Sequence, residues 1–220
     1  EYRASAETLA HTVFLNRGGR FETAALPRPA QLAPAFGVVG ADFDRDGNED
    51  VYIAQNFFAT PEGIERHDAG RGALLLGDGE GGFAVGDEGA LGVTVYGDAR
   101  GAAVADYDAD GRWDLAVGQN GEETAVFRGA GGAPGLRVRL VGPPGNPEAV
   151  GAAVRVLYEG GMGPTREVQA GSGYWSRNGA VQVFGLAGPP TGVSVRWPGG
   201  EETTRSIDPG ALEVTVEAGR

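Results

Sequence analysis

With 220 residues, 41% of them hydrophobic, the chain can bury one large or two modest cores, and 40 glycines and 13 prolines spread along it favour short strands and tight turns. The lack of cysteine excludes disulfides and thiolate metal sites. A formal charge of −12 argues against nucleic acid and anionic membrane as partners, because both demand clustered cations on the protein. The surplus is unevenly placed: residues 1–132 hold 22 Asp and Glu against 10 Arg, whereas residues 133–220 hold 8 against 8. Acidity concentrated in the first part suits metal cations. No stretch approaches the roughly 20 apolar residues of a transmembrane segment. Because the chain opens at Glu1 without methionine or a signal-like apolar core, we expect it to have been processed or cut from a longer polypeptide.

A short helical turn is expected within 1–11. Period-two alternation bounded by turn residues then predicts strands over 12–15, 21–25, 37–41, 51–54, 73–76, 82–85, 101–105, 113–117 and 124–128. GVVGADFDRDGNEDVYIAQN (37–56) and GAAVADYDADGRWDLAVGQN (101–120) align at a constant offset of 64. Segments 13–24 and 73–85 form a second pair with a strand, a glycine turn, an aromatic residue and a strand. The repeating unit is therefore a four-stranded module, and about two and a half such modules fill residues 1–132. Propellers close only with roughly 4 to 8 blades, so a second polypeptide, or blades removed from a longer one, is needed for completion.

The pattern changes near 130–134. Strands are expected beyond it at 136–141, 150–158, 164–169, 180–186, 192–197, 202–207 and 211–216, a spacing that reads as a β-sandwich over 133–220. The fold class predicted for the whole is all-β: a partial β-propeller followed by a β-sandwich.

Both repeat copies carry D-x-D-x-D-G-x-x-D: Asp42, Asp44, Asp46, Gly47 and Asp50, then Asp106, Asp108, Asp110, Gly111 and Asp114. Side chains at positions 1, 3 and 5 of a tight loop converge on one point, and glycine at position 6 permits the closing turn. A backbone carbonyl at position 7, from Asn48 or Arg112, and the carboxylate at position 9 complete a hard oxygen cage suited to Ca²⁺, giving two ions in all. An EF-hand needs Glu at position 12, where this chain has Ile53 and Val117, and each loop runs into a strand. Plain solvated turns are the other reading, but four carboxylates within nine residues repel one another without a cation.

These loops and their flanking strands resemble the FG-GAP or VCBS repeats of integrin-α-type propellers over roughly residues 11–130. The resemblance implies calcium held by Asp42, Asp44, Asp46, Asp50 and the carbonyl of Asn48, and by the matching residues 106–114. The tail segments GLRVRLVGPPGNPEAVGAAVRVLY, REVQAGSGYWSRN, VFGLAG and VSVRWPGG resemble the ASPIC/UnbV domain from 135 to about 200. Gly151, Gly171, Gly173, Tyr174, Phe184, Gly185, Leu186, Trp197, Pro198 and Gly200 carry the match. That family implies no catalytic residues and an unprocessed chain with more blades upstream.

Gly77, Gly79 and Gly82 spell G-x-G-x-x-G, yet a strand follows and Asp78 and Glu80 repel phosphate, so a hairpin turn is expected. Ser172 lacks a strand-to-helix elbow, His11 and His67 form no zinc pattern, and Glu122, Glu123, Glu201 and Glu202 are read as surface residues. Of Trp113, Trp175 and Trp197, Trp175 is the candidate for an exposed aromatic contact. The favoured function is a non-catalytic calcium-binding module, extracellular, periplasmic or on the cell surface, that engages a protein or glycan. Two alternatives stay open: a subunit or fragment of a propeller enzyme acting on glycans or in natural-product biosynthesis, and a structural component of a surface assembly.

Overall fold

The computed structural model describes residues 5, 8–86 and 92–219. The helical turn expected within 1–11 falls largely outside these residues. Strands dominate, with one short 3-10 turn at Arg28–Gln31. Among the described residues no helix is long and apolar enough to cross a membrane.

In the first part, β1 (Thr12–Asn16) and β2 (Phe21–Ala25) pair as a hairpin. A four-stranded antiparallel sheet follows in the order β3 (Ala35–Ala41), β4 (Asp50–Gln55), β5 (Ala73–Gly77), β6 (Phe83–Val85). A three-stranded one comprises β7 (Asp98–Ala105), β8 (Asp114–Asn120) and β9 (Ala125–Phe127). Alternation builds these sheets: along β3, Val39 and Ala41 are buried whereas Val38 is exposed. The repeat extends to irregularities, because β3–β4 and β7–β8 shift register at Ala35/Val38 and at Ala99/Ala102, positions that correspond. A Cβ at Gly37 would lie 2.7 Å from the Arg100 carbonyl, so glycine is what lets β3 and β7 pack closely. Val39, Ala41, Tyr52, Val104, Leu115 and Val117 form the shared core there.

The second part has two sheets around one core. One is ordered β14 (Gln182–Phe184), β10 (Leu136–Val141), β17 (Glu213–Glu217). The other runs β12 (Gly161–Met162), β11 (Ala153–Tyr158), β15 (Gly192–Arg196), β16 (Glu202–Ser206), with β13 (Arg166–Glu167) also on β11. Leu136, Val138, Val154, Val156, Val193, Val195 and Trp197 meet in the core between them. β10 and β17 are parallel. The strand expected over 164–169 shrinks to Arg166–Glu167, and that over 150–158 starts at Ala153 because Asn146 and Val150 close a turn through mutual hydrogen bonds of 2.9 Å. Among the described residues none of the sheets closes on itself.

The two parts are joined by polar as well as apolar contacts. Arg166 is buried, donates to Glu49 Oε1 at 2.6 Å and to the Val183 carbonyl, and its guanidinium lies 4.5 Å from the Phe184 ring centroid. A buried guanidinium is tolerated only when paired in this way. Val183 packs into the core of the first part beside Trp113. Gly179 N donates to Val104 O at 2.7 Å, and Gly135 N to Gly111 O at 2.8 Å.

Candidate metal centre

The two acidic loops connect β3 to β4 and β7 to β8, between the register pairs Ala41↔Asp50 and Ala105↔Asp114. Each turns through two left-handed residues, Arg45 (φ 66°) and Gly47 (φ 93°) in the first, Ala109 (φ 60°) and Gly111 (φ 78°) in the second. Glycine adopts such a backbone freely, whereas the non-glycine residue costs roughly 1–2 kcal/mol. Hydrogen bonds from the loop backbone to its own carboxylates offset that cost. Gly47 N donates to Asp42 Oδ2 at 3.1 Å and Phe43 N to Asp50 Oδ2 at 2.7 Å, while Asp50 Oδ1 accepts Gly77 N from β5 at 2.9 Å. The second loop repeats all three: Gly111 N to Asp106 Oδ2 at 3.1 Å, Tyr107 N to Asp114 Oδ2 at 3.0 Å and Gly129 N to Asp114 Oδ1 at 2.8 Å.

This folding brings Asp42, Asp44 and Asp50 together, with one oxygen from each within 4.8 Å of the others, and does the same for Asp106, Asp108 and Asp114. Two oxygens on opposite sides of a calcium ion at about 2.4 Å stand about 4.8 Å apart, so either triplet fits around one ion. Asp46 and Asp110, also expected as ligands, are not among these converging triplets. Asp46 accepts Asn48 N at 2.7 Å and Asn48 Nδ2 at 2.9 Å, and Asp110 accepts Arg112 Nη1 at 3.1 Å and Arg128 Nη2 at 3.2 Å. The Arg112 side chain also donates to the Gly131 and Gly132 carbonyls.

Burial makes the first triplet electrostatically unsatisfied. Asp42 and Asp50 are 1% and 0% exposed, and Asp42 Oδ1 has no hydrogen-bond partner. Desolvation pushes the Asp42 carboxyl up to about 6, against the pull of Arg166 and the Gly47 amide. It pushes Asp50 up to about 7, against the Gly77 and Phe43 amides, and raises Asp114 as well. A buried, unpartnered carboxylate oxygen beside two more carboxylates is a donor set for a hard cation. The residues present therefore fit Ca²⁺, which takes roughly 6–8 oxygen ligands.

Sequence patterning did not reveal the residues that frame these loops from afar. Gly185, just past β14, lies so close to Asp42 Oδ2 that a Cβ there would collide with it. Arg137 of β10 donates to Asp106 Oδ2 at 2.7 Å, and Arg128 to Asp108 Oδ2 at 2.5 Å. Gly185 was singled out only for the family resemblance, and Arg128 and Arg137 stood as arginines with nothing local to tie them to the loops.

Elsewhere, Gly77–Gly82 form the β5–β6 hairpin, with Asp78 Oδ1 accepting the Glu80 and Gly82 amides, which lowers its pKa. His11 Nδ1 lies 2.6 Å from the Ala30 carbonyl, and His67 pairs its backbone with Phe57. Trp113 and Trp197 are buried, the latter donating to Thr203 Oγ1 at 2.8 Å; Trp175 is 94% exposed beside Tyr174. Ser172 is half-buried, and Glu122, Glu123, Glu201 and Glu202 are exposed.

Fold and site together define an all-β protein with two acidic hairpin loops built to one plan. Residues 142–219 match the family ASPIC and UnbV, in the tail where that resemblance was expected. Over most of its length the chain is also similar to cartilage acidic protein 1. It is 29% identical to the Xenopus tropicalis protein over 225 residues, covering 94% of this chain and 33% of that one. The human protein is 28% identical over 210 residues (90% and 30%), and the mouse protein 30% over 200 residues (86% and 29%). The chain thus spans about a third of the length of the curated relatives it matches.

Proposed function

We propose that this chain is a non-catalytic, calcium-binding interaction module of an extracellular, periplasmic or surface protein, engaging a protein or glycan partner. The observation that carries the reading is the buried Asp42 Oδ1, without a partner and set among carboxylates whose oxygens lie within 4.8 Å of one another. Asp42, Asp44, Asp46 and Asp50 with the Asn48 carbonyl hold one ion, and Asp106, Asp108, Asp110 and Asp114 with the Arg112 carbonyl hold the other. Each ion supplies positive charge at the converging carboxylates and so locks one hairpin connection. Similarity to cartilage acidic protein 1, a protein named for cartilage, supports the extracellular placement.

In this reading the hairpin and the four- and three-stranded sheets of the first part are successive FG-GAP/VCBS blades. The remaining blades come from further chain or from a second polypeptide, and residues 133–220 form a separate sandwich domain. The test is thermal melting in calcium and in EGTA. Calcium raises the midpoint of the intact protein, and Asp44→Ala with Asp108→Ala removes the rise. Equal midpoints for the intact protein in the two buffers contradict the proposal.

A further inference from the structure

The two loops differ in what neutralises them. Around 106–114, Arg137 Nε lies 2.7 Å from Asp106 Oδ2, Arg128 Nε 2.5 Å from Asp108 Oδ2, and Arg128 Nη2 3.2 Å from Asp110 Oδ2. Two of the three converging carboxylates are thus already paired with guanidinium groups. Around 42–50, no ion pair reaches Asp42, Asp44, Asp46 or Asp50 among the described residues.

The contrast can be traced position by position. Gly77 and Gly129 donate their amides to the final aspartates of the two loops, so the residues before them, Leu76 and Arg128, correspond. Where Arg137 presents a cation to Asp106, Gly185 presents only backbone to Asp42. Each loop keeps one buried oxygen without a partner, Asp42 Oδ1 and Asp110 Oδ1, but only on Asp110 do guanidinium groups, those of Arg112 and Arg128, hold the other oxygen.

We propose that the loops bind cations unequally: residues 42–50 form the strong site, and Arg128 is a built-in competitor that must leave Asp108 before residues 106–114 can take an ion. The proposal rests on the calcium reading above and adds to it the order in which the loops fill. A guanidinium within hydrogen-bond distance both occupies carboxylate lone pairs and repels an incoming cation. Arg128 is the part of the clamp that can yield, since its side chain is 61% exposed and can swing into solvent. Arg137 is 13% exposed and also held by Glu213, so it stays. Because an exposed ion pair is worth at most about 1 kcal/mol, the handicap is about fivefold in affinity.

Calorimetric calcium titration of the whole chain, stripped with EGTA, tests this. Two steps are expected, the second about fivefold or more weaker than the first. Arg128→Leu strengthens the second step by about that factor and leaves the first unchanged; Leu76→Arg weakens the first. Asp44→Asn removes the strong step and Asp108→Asn the weak one, with circular dichroism verifying the fold of each variant. Two ions of equal affinity in the intact protein, or an unmoved second step in Arg128→Leu, overturn the proposal and leave the calcium reading standing. No uptake at either loop of folded protein overturns both.

Discussion

Residues 42–50 and 106–114 share their left-handed turns and three backbone-to-carboxylate hydrogen bonds, yet they sit in opposite electrostatic settings. Each has one buried carboxylate oxygen without a partner, on Asp42 and on Asp110, but the first is walled by Gly185 whereas the second is crossed by Arg128 and Arg137. Arg128, where the first copy has Leu76, makes part of this difference, and the C-terminal sheet makes the rest. Neighbouring strands β14 and β10, paired Val183↔Arg137, bring backbone to one loop and a guanidinium to the other. Loop shape is thus a local property of D-x-D-x-D-G, whereas loop charge is set by chain far away. A repeat can keep its geometry while the charges around its copies diverge.

That contrast can be broken by experiment. The largest expected effect is that of Arg137→Ala, which leaves the buried Asp106 carboxylate without its cation. In EGTA we expect a loss of about 3 kcal/mol in urea unfolding, partly restored by calcium. Asp42→Asn should act oppositely in the two buffers. In EGTA at neutral pH it removes an unpartnered charge and stabilises by on the order of 1–2 kcal/mol. In calcium at about 100 times the dissociation constant it forfeits about 2.7 kcal/mol of linkage and becomes the less stable protein. Gly185→Ala drives a methyl group toward Asp42 and the Arg45 backbone, for an expected loss of about 1–2 kcal/mol and weaker uptake by the first loop alone. Smallest is the difference between Asp50→Ala and Asp114→Ala in EGTA. Asp50 accepts three amides and Asp114 two, so the former should cost more by about 1 kcal/mol.

Much of this was legible in the sequence because it is local or repeated. The offset of 64 carried over to strands, loop turns and even the register shifts at Ala35/Val38 and Ala99/Ala102. Strand lengths in the tail were harder to read. Alternation over 164–169 suggested a full strand, but only Arg166 and Glu167 pair, and Arg166 turns inward toward Glu49 and Phe184. The short β12 strand at Gly161–Met162 has no period to detect, and the parallel pairing of β10 with β17 joins segments more than 70 residues apart. The arginines on the second loop stayed hidden for the same reason. Alternation places Arg137 on a strand, but only tertiary packing brings it to Asp106.

The most direct test of the central claim is an anomalous-scattering map from crystals of the protein grown with a calcium-mimicking lanthanide. A peak enclosed by the carboxylates of Asp42, Asp44 and Asp50, higher than any peak at Asp106, Asp108 and Asp114, is the predicted result. A first loop without a peak while the lanthanide occupies the second, or neither loop occupied at saturating ion, would contradict the account.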